Sequence, residues 1–174
     1  MDRARGFTLL ELLVTLTVMG LLMVTAVPAY RSFSQNLELR ASAQRLASDF
    51  LYARHAAMDR GRRVAVCPGR ASLGCRELPS WADGWMVFED QNGDRRWQPG
   101  EPVLRETGPQ TGISIRSSAA RRLVQFFANG SAAGSNATLW LCDRRGPVHG
   151  WQVRVSMAGR IRTTAAKKDG DLGC

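Results

Sequence analysis

Two arginines near the carboxyl end of the chain, Arg160 and Arg162, are separated by one residue and follow Gly159. A turn at 157–159 would lead into a strand, and residues two apart in a strand lie on the same face. The two guanidinium groups could then donate forked hydrogen bonds to successive phosphates without reading any base. The spacing therefore favours a phosphate-binding surface, and the alternative is an ordinary solvated hairpin in an arginine-rich protein.

Positive charge is concentrated in the same part of the sequence. The chain has 24 Lys+Arg against 15 Asp+Glu, a formal net charge of +9, and removal of residues 1–6 would leave +8. Residues 7–60 and 61–110 are near neutral, whereas residues 111–174 carry ten basic and three acidic side chains, a net of +7. This asymmetry indicates a polyanion or an anionic surface as partner. Further basic residues could extend the patch: Arg144, Arg145, Arg154, Lys167 and Lys168.

The segment from Asp90 to Glu101 has part of the spacing of a calcium-binding loop. Acidic or amide side chains occupy positions 1, 3, 5 and 12 of an EF-hand-like register. However, Arg95 stands at position 6, where such a loop needs glycine. The flanking residues are typical of strands, so a hairpin with a long Asn-Gly turn is favoured, and calcium binding is the alternative.

No motif in the sequence predicts an enzyme. His55 and His149 have no partner at a spacing typical of metal binding or catalysis. Nucleophile elbows, phosphate-binding glycine loops and paired catalytic carboxylates are absent as motifs. The sequence therefore predicts a binding or structural protein without a cofactor.

The amino-terminal segment, which precedes the part of the chain that contains these candidate residues, is apolar. After Glu11 no formal charge occurs before Arg31, and the run is long enough to cross a membrane as a helix. A carboxylate near the end of such a span costs a few kcal/mol and persists where a partner or a function compensates. Glu11 therefore needs an explanation beyond a plain membrane anchor.

The segment Gly6-Phe7-Thr8-Leu9-Leu10-Glu11 resembles the class III signal of type IV prepilins and pseudopilins. The resemblance implies that residues 1–6 are a leader, that a prepilin peptidase cleaves after Gly6, and that the new amino terminus at Phe7 is methylated. It also implies that Glu11 pairs with the terminal amine of a neighbouring subunit. The chain would then have an extracytoplasmic domain and assemble into a filament.

The remaining pattern predicts an α+β fold of the type IV pilin kind. Residues 7–60 are expected to form one helix, with 7–30 in the membrane or filament core and 31–60 amphipathic, including Phe33 and Leu37 in the apolar stripe. Residues 61–174 are expected to form a small antiparallel β-sheet domain on the distal half of the helix. Its predicted strands are 62–67, 84–89, 102–105, 113–117, 123–128, 138–142, 151–157 and 160–164.

Four cysteines in an exported chain indicate two disulfides, for which three connectivities exist. We favour Cys67 with Cys75, which closes a short loop, and Cys142 with Cys174, which ties down the last residue. Their spacings do not match a zinc framework, so no metal site is expected.

Over its whole length the sequence resembles the FimT/GspH class of minor pilins and pseudopilins. The residues that carry the resemblance beyond the signal are 64–67, 84–88, 90–101, 141–143 and 155–162. In members linked to natural transformation, a Gly-Arg-x-Arg segment is associated with DNA binding, and Gly159 to Arg162 match it.

The resemblance implies a minor pilin that binds double-stranded DNA non-specifically during uptake. It would be a single-pass inner-membrane protein with a periplasmic domain before it joins other pilins in an extracellular pilus. Two alternatives remain open: a minor pilin that primes pilus assembly without a DNA role, and a type II secretion pseudopilin.

Overall fold

A computed structural model describes residues 8–118 and 121–165 of the chain. The described residues form helix α1, Leu9–Arg60, and nine strands: β1 Val64–Arg70, β2 Gly74–Cys75, β3 Trp85–Glu89, β4 Val103–Thr107, β5 Ser114–Ser117, β6 Val124–Phe126, β7 Ala137–Cys142, β8 Trp151–Val155 and β9 Ile161–Ala165. Every strand pairing is antiparallel. The predicted α+β class, one long helix followed by an antiparallel β domain, is confirmed.

Helix α1 is continuous through Pro28 and ends where glycine permits a left-handed residue. Thr8 Oγ1 accepts a hydrogen bond from the backbone N–H of Glu11 in the first turn, the arrangement of a helix N-cap. Gly61 has φ +63°, a conformation that stops helices and that residues with a Cβ adopt at a cost.

The chain divides into two compact units, residues 1–37 and 38–174. In the first unit the apolar side chains of the helix are exposed, and α1 is long and apolar enough to cross a membrane. Phe33 and Leu37, which the predicted stripe included, are 61% and 50% exposed. The buried face of the helix begins instead at Leu39, where the apolar cluster of the second unit starts.

The larger of two apolar clusters in the second unit is formed by the helix and two sheets, and the smaller one consists of Ala65, Cys67, Met86 and Phe88 on the first sheet. The first sheet has the order β2-β1-β3-β4 with β6 also paired to β1, and the second has the order β5-β7-β8-β9. Leu46 and Phe50 of the helix lie in one buried cluster with Val87 of the first sheet and Leu139 and Val153 of the second. Residues 38–174 therefore contain their whole core, as expected of a segment that folds on its own.

A buried carboxylate joins the helix to the first sheet. Asp49 is 3% exposed and accepts hydrogen bonds of 2.8 Å from Trp85 Nε1, Arg105 Nη1 and Thr107 Oγ1. Trp85 and Thr107 are direct partners across β3 and β4. One helical side chain thus satisfies donors from two neighbouring strands.

The predicted disulfide between Cys67 and Cys75 is confirmed. It links Cys67 of β1 to Cys75 of β2, whose register partner on β1 is Gly69, two residues after Cys67. Cys142 is also disulfide-bonded. Its predicted partner, Cys174, lies outside the described residues, so that pairing stays a prediction.

Candidate functional site

The hairpin of β8 and β9 places two of the predicted arginines directly opposite each other. Arg154 and Arg162 are partners in the strand register, so their Cβ atoms are about 5 Å apart on one face of the sheet. Both side chains are exposed, and so is Arg160, two residues before Arg162. Like charges directly opposite in a sheet destabilise it, so this arrangement suits a surface that meets negative charge.

Among the described residues, the sheet face that carries these arginines has no acidic side chain. The outward-facing side chains of the second sheet are Ser114, Arg116, Thr138, Trp140, Gln152, Arg154, Arg162 and Thr164. Within residues 8–118 and 121–165, none of Arg116, Arg154, Arg160 and Arg162 forms an ion pair. We call these four arginines the outer basic face. Their guanidinium donors are available to an external anion, apart from a 3.5 Å contact from Arg154 to Gln152 Oε1.

The turn at Gly159 places Arg160 on this face. Gly159 has φ +71°, and a Cβ at this position would lie 1.9 Å from the carbonyl oxygen of Gly130. That oxygen also accepts a 3.0 Å hydrogen bond from Arg54 Nε on the helix. The turn at Gly159 therefore packs against the Gly130 backbone, which the helix residue Arg54 holds in place. This packing fixes the position of the Arg160 backbone.

Replacing Gly159 by Ala should destabilise the domain and weaken anion binding with no change in charge. The left-handed conformation costs about 1–2 kcal/mol for a residue with a Cβ, and the contact with Gly130 adds to it. Gly112→Ala is a matched control, because Gly112 has φ +75° and nothing within 4 Å of the added Cβ. Thermal unfolding should show the larger loss for Gly159→Ala. Equal losses would mean that the turn does not depend on the Gly130 contact.

Two of the other predicted arginines do not join the outer basic face. Arg145 lies beside Asp143, and its Nε donates to the Asp143 carboxylate at 3.0 Å. Burial alone would raise the pKa of Asp143, but hydrogen bonds and charge from Arg145, with His149, outweigh it and lower that pKa. An internal carboxylate therefore already engages Arg145, and its part in binding an external phosphate stays a prediction.

Arg144 is exposed but lies at the other end of the sheet. Arg162 pairs with Arg154, which in turn pairs with Thr138 on β7. Cys142, the last residue of β7, lies about 13 Å along the strand from Thr138. Arg144 follows Cys142 in the next turn. The prediction that Arg144 extends this patch is therefore not supported by its position. Lys167 and Lys168 lie outside the described residues, so their part in the patch stays a prediction.

The Asp90 to Glu101 loop is closed by its own N–H groups. Asp90 accepts hydrogen bonds from the backbone N–H of Gly93 at 2.8 Å and of Arg95 at 3.1 Å. Glu101 accepts from the backbone N–H groups of Gln91 and Gln98, both at 3.0 Å. The described part of the chain has no group of three or more His, Cys, Asp or Glu side chains placed for a metal. The hairpin interpretation accounts for this geometry better than the calcium alternative.

Sequence reasoning did not include Arg116 or single out Trp140 among the site residues. Arg116 on β5 is the register partner of Trp140 on β7, and Trp140 is half-buried on the outer face. The alternation of Ala137–Cys142, with Leu139 and Leu141 buried, could have indicated the outward direction of Trp140. Its pairing with β5 could not be known, because that pairing joins distant parts of the chain.

Comparison with known proteins agrees with this fold and with the amino-terminal pattern. Residues 42–159 match the family "Type II transport protein GspH", and residues 1–27 match the "Prokaryotic N-terminal methylation motif". The methylation motif and the apolar helix fit a protein anchored in the inner membrane with a periplasmic domain.

Two curated relatives have detectable sequence similarity. "Pilin-like protein PilA1" of Thermus thermophilus is 36% identical over 97 residues, 56% of this chain. The match spans only 55% of the length of that relative. "Type II secretion system protein H" of Xanthomonas campestris pv. campestris is 26% identical over 164 residues, covering 92% of this chain and 86% of the relative.

Two solved structures share the fold. The type IV minor pilin FimU of Pseudomonas aeruginosa, at 19% identity, superposes with a TM-score of 0.61 over 80% of this chain and 98% of its own. The minor pseudopilin EpsH from the type 2 secretion system of Vibrio cholerae, at 15% identity, gives 0.52 over 74% of this chain and 97% of its own. Such proteins are structural components rather than enzymes. The chain therefore belongs to the GspH family of minor pilins and pseudopilins, and it carries their amino-terminal methylation motif.

Proposed function

We propose that this chain is a minor pilin of a type IV pilus and binds double-stranded DNA non-specifically through the outer basic face during natural transformation. After cleavage at Gly6 by a prepilin peptidase, it would leave the inner membrane and join other pilins in an extracellular filament. DNA is then bound where the pilus meets the medium.

The observation that carries the proposal is the alignment of Arg154 with Arg162 on a sheet face where the described residues include no carboxylate. A structural surface would be more stable with a carboxylate opposite one of these arginines. Neighbouring guanidinium groups instead suit the phosphates of a nucleic-acid backbone, which need no base contact. The net charge of residues 111–174 would bring DNA to this face over a longer range.

Substituting Arg160 and Arg162 together by Gln should weaken duplex binding at least about tenfold. Two charge-assisted hydrogen bonds are lost, each worth about 1 kcal/mol or more. Because phosphate contacts release counterions, the slope of log affinity against log salt should also fall by about two. Fluorescence anisotropy with a labelled duplex and residues 35–174 would measure both quantities.

Arg96→Gln with Arg144→Gln is the matched control. Both arginines are exposed and form no ion pair among the described residues. Their substitution removes the same charge as substitution of Arg160 and Arg162. The control should lower affinity only slightly. If both double variants weaken binding equally, general basicity and not a site explains the affinity.

The secretion pseudopilin is a second candidate function, favoured by the GspH family match and by the similarity to the Xanthomonas protein. Cells that carry the Arg160 and Arg162 double variant separate the alternatives. The DNA-binding proposal expects DNA uptake to be lost while pili and protein secretion persist. Loss of secretion would favour the pseudopilin, and loss of pili would favour a role in assembly.

A further inference from the structure

A cavity of about 450 Å³ opens beside the outer basic face. Its walls include Trp140 on β7, Arg154 on β8, and Asn136 and Arg121 from the flanking loops. Thr138 and Ser156 also line it. The cavity thus combines an aromatic ring, a guanidinium of the proposed phosphate site and several groups able to form hydrogen bonds.

Trp140 occupies an unusual place for a large aromatic side chain. Trp81 and Trp85 are fully buried in the core, whereas Trp140 is half-buried on the outward side of its strand. Arg116 faces it from β5 and Gln152 from β8. A planar ring between cationic and amide neighbours is a surface on which a nucleobase can stack.

Asn136 supplies an unmet hydrogen-bond acceptor in the cavity wall. Its Oδ1 is buried and has no hydrogen-bond partner among the described residues. A buried carbonyl oxygen without a donor costs free energy. If the side-chain amide turned toward the cavity, the exocyclic amino group of a base could donate to this oxygen.

We propose that this cavity receives one unstacked base of single-stranded DNA, with the base on Trp140 and the adjoining phosphates on Arg154 and Arg162. The inference rests on the proposed function, since it uses the same outer basic face. In a duplex the bases are stacked and paired, so none can enter without first being pulled out. Single strands and frayed ends should therefore bind more tightly than the same sequence as a duplex.

The test compares labelled single strands with duplexes of the same sequence on residues 35–174, which include the unit 38–174 that has its own core. Wild-type protein should bind the single strand about tenfold more tightly, the effect expected of one stacked base. Trp140→Leu should remove that preference, so that single strand and duplex bind the variant equally. Trp97→Leu, which alters a half-buried tryptophan near the first sheet, should keep the preference.

A second measurement needs no variant and so does not depend on folding. A single strand whose residues are abasic should bind wild-type protein no more tightly than the duplex does. An abasic strand that binds as well as the normal strand, or a Trp140→Leu protein that keeps the preference, would overturn the base-binding inference. If wild-type protein binds neither form of DNA, the proposed function itself fails. If duplex binding is intact and the preference is absent, only the cavity inference fails.

Discussion

Replacing Asp49 by Ala should lower the melting temperature of the periplasmic domain by about 10 °C. The change leaves the indole N–H of Trp85 buried without an acceptor and removes the partner of Arg105 and Thr107. Loss of a buried carboxylate of this kind costs about 3 kcal/mol or more. In a domain of this size each kcal/mol corresponds to about 3–5 °C. Calorimetry on residues 35–174 would measure the shift.

Asp59→Ala is the matched control for this prediction. Asp59 lies on the same helix and carries the same charge, but it is exposed, so its loss should change stability by less than about 0.5 kcal/mol. Equal melting temperatures for the two variants would contradict the role of Asp49 as the link between helix and first sheet.

Replacing Gly6 by Leu should abolish processing of the chain. The match of residues 1–27 to the methylation motif implies that a peptidase must accept the residue before the cleaved bond, and a large side chain there would block it. Intact-mass measurement of membrane fractions should find wild-type protein shortened by residues 1–6 and methylated at Phe7. The variant should keep its full length and be absent from filaments.

Two further variants make the processing experiment specific. Gly20→Leu adds the same side chain within the membrane segment, where nothing lies within 4 Å, and should be processed normally. Glu11→Ala should be processed but enter filaments poorly, because its proposed pairing with a neighbouring amino terminus is lost. A Gly6 variant that is cleaved and methylated would contradict the assigned leader. Normal incorporation of the Glu11 variant would contradict only the pairing.

The elements of this fold that depend on local sequence could be predicted, and those that depend on distant pairing could not. The stop at Gly61 and the loop closed by Cys67 and Cys75 are local and agree with the structure. The division into two sheets depends on β6 pairing with β1 and on β5 pairing with β7. No short-range pattern specifies which of several similar strands become neighbours.

The candidate site follows the same division. The alignment of Arg154 with Arg162 results from a short hairpin, so the sequence could indicate a shared face. The pairing of Arg145 with Asp143 is also local, and the Asp-x-Arg spacing could have indicated that the two side chains form an ion pair. The position of Trp140 beside Arg116 could be known only from the structure, because their strands are separated in the sequence by β6 and a long loop.

A nuclear magnetic resonance titration tests the central claim most directly, because it locates the DNA on the domain. Isotope-labelled residues 35–174 would be titrated with a short duplex and the backbone amide shifts mapped onto the structure. We expect the largest changes at Arg154, Arg160 and Arg162 and along β7 to β9, with their size falling as salt is raised. The absence of shifts, or shifts centred on Arg95 and Arg96 near the first sheet, would contradict DNA binding by the outer basic face.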